Sequence, residues 1–179
     1  VNAWGLSSPR SAAVTAATTE RVVPENTLFV AAADGTLRNG MTAAVDCGSL
    51  APAAVYGTDG TRQYPLETDS KTVLTVDIPA GGVWYAWGRF RFADGARNSF
   101  WVQVDGGDAV EFGNGEHALG EWHWEGYMHE GHLDLGALDA GEHTLTVYAR
   151  EPAHDCLLDV VCLTMDENYV PRDSDVGAL

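Results

Sequence analysis

Tyr85, Trp87, Arg89 and Arg91 fall at every second position of W-Y-A-W-G-R-F-R-F (84–92), and Trp101 and Gln103 do so in S-F-W-V-Q-V (99–104). Side chains alternate across a β-strand. Two aromatics and two guanidiniums therefore share one face of the first segment, opposite Trp84, Ala86, Phe90 and Phe92. In the second, Ser99, Trp101, Gln103 and Asp105 oppose Phe100, Val102 and Val104. Read as two antiparallel strands joined by a polar turn, the segments gather Tyr85, Trp87, Arg89, Arg91, Trp101 and Gln103 on one outward surface. An indole offers a flat apolar face to C–H groups, while Arg and Gln donate to hydroxyls. That combination suits stacking on a pyranose ring, and the paired donors of Arg89 and Arg91 also suit a uronic acid or a sulfate. The competing reading is a second core, with loops or the N-terminal segment covering this face. A site at loop tips would instead centre on Asn98, His123 and Tyr127.

A second chemical cluster is E-H-A-L-G-E-W-H-W-E-G-Y-M-H-E-G-H-L-D (116–134), with four His among several acids. His129 and His132, with Glu130 beside them, are candidate ligands for a transition metal. No H-E-x-x-H and no pair of C-x-x-C motifs frames them, so solvated loop histidines are the plainer reading. Trp122 and Trp124 share a face and suit packing better than a site. Catalytic signatures are missing: there is no G-x-S-x-G, no P-loop and no G-x-G-x-x-G. Nothing fixes the separation of a glycosidase carboxylate pair. The expectation is a chain that is not an enzyme.

Composition narrows the partners. The 26 acidic residues outweigh 10 basic ones, for a net charge of -16. Such a surface repels phosphate backbones, which argues against nucleic acid. No run of eighteen apolar residues exists, so no helical membrane span is expected. A signal peptide is also missing from the start, so an exported protein would already have lost it. A secreted or cell-surface location fits. Cys156 and Cys162 lie six apart in one expected strand, about 20 Å from each other. A disulfide needs Cα atoms within about 7 Å, so either can bridge only Cys47 or another chain. Buried thiols are the simpler expectation.

These candidate residues need a scaffold. Its 179 residues suffice for one well-buried domain, and 20 Gly and 7 Pro punctuate short apolar runs. Strands are expected at 27–33, 42–46, 53–56, 72–78, 83–93, 98–105, 108–112, 121–125, 132–135, 143–150 and 156–165. Turns such as Asp34-Gly35, Asp94-Gly95 and Gly106-Gly107 separate them. This pattern predicts an all-β jelly-roll sandwich of two antiparallel sheets. Residues 26–171 form that domain, and 172–179 form a C-terminal tail. Residues 1–25 read as an extended arm rich in Ser, Thr and small residues, docked on its own domain or on a neighbour. Docking on a neighbour suggests a different role: a fibre or surface-layer subunit whose arm adds a strand to the next copy.

Several pieces occur in a telling order: L-F-V-A-A-A-D-G (28–35), I-P-A-G-G-V-W-Y-A-W-G-R (78–89), N-S-F-W-V-Q-V-D-G-G (98–107), W-H-W (122–124), L-D-A-G-E-H-T-L-T-V (138–147), L-D-V-V-C-L-T-M-D (158–166) and Y-V-P (169–171). Together they resemble the galactose-binding-like β-sandwich carbohydrate-binding modules of bacterial polysaccharide-degrading enzymes. The resemblance implies a jelly roll that binds polysaccharide or oligosaccharide without transforming it. Many such modules open with acidic residues that hold a structural calcium. Here the matching stretch is Val30-Ala31-Ala32-Ala33-Asp34, which leaves Asp34 and Asp159 as the candidate oxygen ligands for Ca2+.

Overall fold

Alternating apolar runs bounded by Gly-containing turns become twelve strands in a computed structural model that describes residues 21–128 and 131–179. In chain order they are β1 (Thr27–Ala31), β2 (Thr36–Arg38), β3 (Thr42–Ala44), β4 (Ala54–Tyr56), β5 (Lys71–Ile78) and β6 (Gly82–Phe92). There follow β7 (Ser99–Val104), β8 (Val110–Gly113), β9 (His123–Glu125), β10 (Leu133–Leu138), β11 (Gly141–Ala149) and β12 (Cys156–Thr164). Short 3-10 turns lie at Ala32–Asp34 and Asp173–Asp175. The strand pairs are antiparallel and make two sheets. One runs β10-β6-β12-β4-β3, with β9 also on β6 and β1 also on β12. The other runs β2-β5-β11-β7-β8. This is the expected all-β sandwich; the three-residue edge strand β2 is an addition to the expected set.

The inner faces of both sheets supply one core. Trp84, Ala86, Phe90 and Phe92 of β6 meet Phe100 and Val102 of β7, Phe112 of β8 and Leu145 of β11. Phe90 stacks on Phe92 at 4.9 Å and on Phe100 at 5.9 Å. That last contact overturns the expected β6–β7 hairpin. The two strands lie in different sheets, and the polar turn between them crosses from one sheet to the other. Their fully apolar faces gain more by opposing each other across the core than by lying side by side in one sheet. The consequence for function is direct: the outward faces of β6 and β7 point to opposite sides of the sandwich.

The outer face of the β6–β12 sheet is itself covered. A β-bulge in β12, where the register with β6 shifts between Leu158 and Val160, turns both Asp159 and Val160 toward this side. Val160 packs with Ala31, Ala51, Phe29 and Trp124. Trp87, Cys162 and Tyr169 form an adjoining cluster with Val23. Arg21 donates to the Val170 carbonyl and pairs with Asp175 at 3.1 Å. The end of the arm therefore packs on its own chain. Its residues 1–20 lie outside the described residues, as do His129 and Glu130. Cys156 and Cys162 are buried, Cys47 is exposed, and all three are free thiols.

Candidate functional site

The outward residues of β6 are engaged in packing and ion pairs. Arg89 is 3% exposed. Its Nη1 donates to Asp159 at 2.7 Å and to the Gly48 carbonyl at 2.9 Å. Its Nε and Nη2 donate to the two oxygens of Asp173 at 2.9 and 2.8 Å. Its guanidinium also lies 4.8 Å from the Trp122 ring centroid. Hydrogen bonds from Arg89 above all, and then from Trp124, hold the Asp173 carboxyl below its ordinary value. Arg91 pairs with Asp46 at 2.8 Å. Trp87 is buried, and half-buried Tyr85 lies 4.3 Å from the His132 ring. Residues 21–23, 46–51 and 169–175 lie across Trp87 and Arg89, as the competing reading has it, while Tyr85 and Arg91 keep part of their surface.

Trp101 and Gln103 sit on the other side of the molecule. Trp101 Nε1 donates to the Thr61 carbonyl at 2.7 Å. Arg150 lies 5.3 Å from its ring centroid, and Tyr64 lies 6.3 Å from it. Gln103 donates to the Gly107 carbonyl at 2.7 Å and accepts from the Tyr148 hydroxyl at 3.1 Å. Burial raises the Tyr148 phenol and the Glu111 carboxyl above their ordinary values, with Arg150 partly countering it at Glu111.

Asn98, His123 and Tyr127 do converge, around Gly113–Gly115. Buried Asn98 donates from Nδ2 to the Gly115 carbonyl at 3.1 Å, and its carbonyl accepts from Asn114 N at 2.6 Å. Tyr127 forms an isolated bridge with Gly113. His123 lies edge-on to Phe92 at 5.5 Å. Asn98 braces the loop and has little surface to offer a ligand.

The oxygens of Asp159, the calcium candidate from β12, accept from Leu50 N at 2.6 Å, Ala51 N at 3.1 Å and Arg89 at 2.7 Å. A cation held by Asp159 would have to displace Arg89. Asp34 is exposed on its 3-10 turn.

Several solvent-open concavities lie elsewhere on the described surface, and one of them is walled by three loops. It has a volume of about 360 Å³ and is lined by Gly57, Thr58, Arg97, Pro152, Ala153, His154 and Asp155. Chain from the end of β4, the turn before β7 and the approach to β12 forms its walls. Exposed His154 lies edge-on to Tyr56 at 4.9 Å, so Tyr56 braces its ring. Arg97 is tied to Asp94 and lies 3.6 Å from Asp155. A hydroxyl, a guanidinium, a carboxylate and a ring edge thus face one concavity, with donors and acceptors of both signs. None of these residues drew notice in the sequence, since loop positions carry no periodicity.

No family model matches the chain, and no curated protein matches it. Solved structures do. The GH26-CBM35 β-(1,4)-mannanase of Podospora anserina shares 18% identity over 83% of this chain at a TM-score of 0.59. The match spans 29% of that enzyme. A family 35 carbohydrate-binding module from Clostridium thermocellum matches at TM-score 0.57 and 16% identity, over 76% of this chain and 98% of its own. The C-terminal CBM6 of LamC, a marine laminarinase from Zobellia galactanivorans, matches at TM-score 0.56 and 14% identity, over 78% of this chain and 99% of its own. The chain thus has the β-sandwich fold of family 35 and family 6 carbohydrate-binding modules.

Proposed function

We propose that this chain is a non-catalytic module that binds polysaccharide in the cleft lined by Thr58, Arg97, His154 and Asp155, in a secreted or cell-surface setting. The observation that carries the reading is that this open concavity gathers a guanidinium, a carboxylate and an imidazole, while Trp87 and Trp101 are buried. The fold is shared with carbohydrate-binding modules over nearly the whole length of their chains, which supports the class. Arg97 already has Asp94 and Asp155 as counter-ions, so the cleft presents balanced charge. A net charge of -16 also disfavours polyanions. Neutral glycans are the expected ligands, with hydroxyls bridging Thr58, Arg97 and Asp155 and one sugar face against the His154 ring.

The test is a binding screen on β-(1,4)-mannan, laminarin and an acidic polysaccharide, using the intact protein, His154→Ala and Arg97→Ala. The reading expects a neutral polysaccharide to bind and both variants, still folded, to lose at least about tenfold in affinity, or about 1.4 kcal/mol. Binding that survives both changes would move the site elsewhere. Failure of every glycan would remove the functional assignment and leave the fold.

A further inference from the structure

The β8–β9 loop and β9 hold a second cluster, unrelated to the cleft. His123 and Glu125 are two apart on a strand and so share a face. Strand β9 runs beside β6 with His123 opposite Phe90 and Glu125 opposite Gly88, which turns both side chains inward at the sandwich edge. His117 comes from the loop before β9 and lies edge-on to His123, with ring centroids 5.0 Å apart. His123 Nε2 stands 3.2 Å from Glu125 Oε2, and His117 Nδ1 stands 3.8 Å from the same oxygen. One ligand atom from each residue lies within 4.8 Å of the others.

Three features separate this cluster from an ordinary surface group. First, His123 Nδ1 lies 3.0 Å from the Glu121 carbonyl, which can only accept, so Nδ1 carries a proton. In the neutral ring Nε2 is then a bare lone pair aimed at a carboxylate oxygen. Two acceptors at that distance repel unless a proton or a cation stands between them. Second, Glu125 is 1% exposed and its Oε1 is buried with no hydrogen-bond partner. Leaving such an oxygen unsatisfied is costly. Third, the carboxylate rests in a hollow against Gly115, where any Cβ would stand 2.2 Å from Glu125 Oε2.

The geometry points to a transition-metal site of the zinc class, held by His117, His123 and Glu125. Tetrahedral zinc with bonds of about 2.1 Å places its ligand atoms about 3.4 Å apart. The two distances to Glu125 bracket that value, all three ligand atoms lie within 4.8 Å, and closure needs the loop histidine to move inward. The Glu121 carbonyl on Nδ1 is the outer partner that orients a metal-binding imidazole and fixes its tautomer. Two imidazoles and one carboxylate select zinc over calcium, which takes oxygen ligands. The bound ion would pin the 114–121 loop to β9.

Titration of the tag-free protein with Zn2+ tests this by calorimetry, with Co2+ as a spectroscopic substitute. One ion should bind per chain, Co2+ should give the visible band of a four-coordinate N/O site, and excess Ca2+ should not compete. His117→Ala changes a solvent-facing ring and keeps the fold, and His123→Ala removes the oriented ligand. Each should weaken Zn2+ binding at least about tenfold. Undiminished binding in both variants overturns the assignment. So does no zinc uptake by the intact protein, and an NMR spectrum showing His123 protonated on both nitrogens would then identify the proton that fills the gap.

Discussion

Arg89 and Asp159 meet at 2.7 Å with their side chains 3% and 0% exposed, the most deeply buried ion pair among the described residues. Both charges are taken out of water, and only their mutual attraction and the hydrogen bonds around them offset that cost. Arg89→Met leaves Asp159 uncompensated and is expected to cost about 3–5 kcal/mol in urea denaturation at neutral pH. Adding Asp159→Leu should recover only part of the loss, because it leaves the Leu50 and Ala51 N–H groups without their acceptor. A single variant as stable as the parent would show the pair to be dispensable. Asp173, the outer member of the group, adds a pH signature. Its folded value is lowered, chiefly by the hydrogen bonds from Arg89. Its contribution is in place above the ordinary unfolded carboxylate value and is lost as pH falls through the lowered folded one.

Trp101 is structural. Its indole is 9% exposed, wedged between Arg150 and Tyr64 and donating to Thr61. Trp101→Ala should destabilise by about 3 kcal/mol, from lost burial and an unfilled cavity. Trp101→Phe should recover part of this. Thermal melts of both variants check the order. Full stability in Trp101→Ala would return this residue to the list of ligand contacts.

His143 and Asp105 form a pH-sensitive strap between β11 and the end of β7. His143 Nδ1 lies 2.6 Å from Asp105 Oδ2, and Asp105 Oδ1 accepts from Thr144 N at 2.8 Å. The hydrogen bond to Asp105, first, and that to the Asp139 carbonyl raise the His143 value. A raised folded value means the stabilisation is complete below the unfolded imidazole value, about 6.5, and is lost as pH rises through the folded one. Asp105 is half exposed, so the effect should amount to less than about 1 kcal/mol. Stability measured from pH 6 to 9 should decline gently in the parent and less in His143→Gln. Identical profiles would discount the strap.

The thiols should separate cleanly. Burial pushes Cys156 and Cys162 far above the ordinary thiol value, and Cys47 is exposed. A thiol reagent should modify Cys47 alone in the native protein and all three once urea is added. Rapid native labelling of Cys156 or Cys162 would mean that β12 opens readily.

Much of the architecture was legible because one face of each strand is dry. Trp84, Ala86, Phe90 and Phe92 announce the inner face of β6 by alternation alone, and Asp94-Gly95 and Gly106-Gly107 announce its neighbours' turns. Alternation tells which side of a strand faces inward, but not which sheet the strand joins. That is why Tyr85 and Trp101 looked like neighbours and lie on opposite sides. Arg89 illustrates a second limit. An Arg between aromatics reads equally as a ligand donor or a buried counter-ion until Asp159 and Asp173, far along the chain, are seen beside it. The cleft of Thr58, Arg97 and His154 had no signal at all, since it is assembled from three loops. The H-x-E of β9 was visible as residues, but its pairing with His117 depends on how the loop folds back.

Strand β12 has a kinetic consequence. It binds β6 along one edge and β1 and β4 along the other, with Thr27 opposite Thr164. β1, and one edge each of β4 and β6, therefore wait for the latest strand of the sheet to emerge before their backbone groups are paired. Such long-range closure is slow, on the order of milliseconds to seconds for all-β domains. During synthesis on the ribosome, β1 and one edge of β6 would stand open, and this sheet is completed only once Cys156–Thr164 has cleared the exit tunnel.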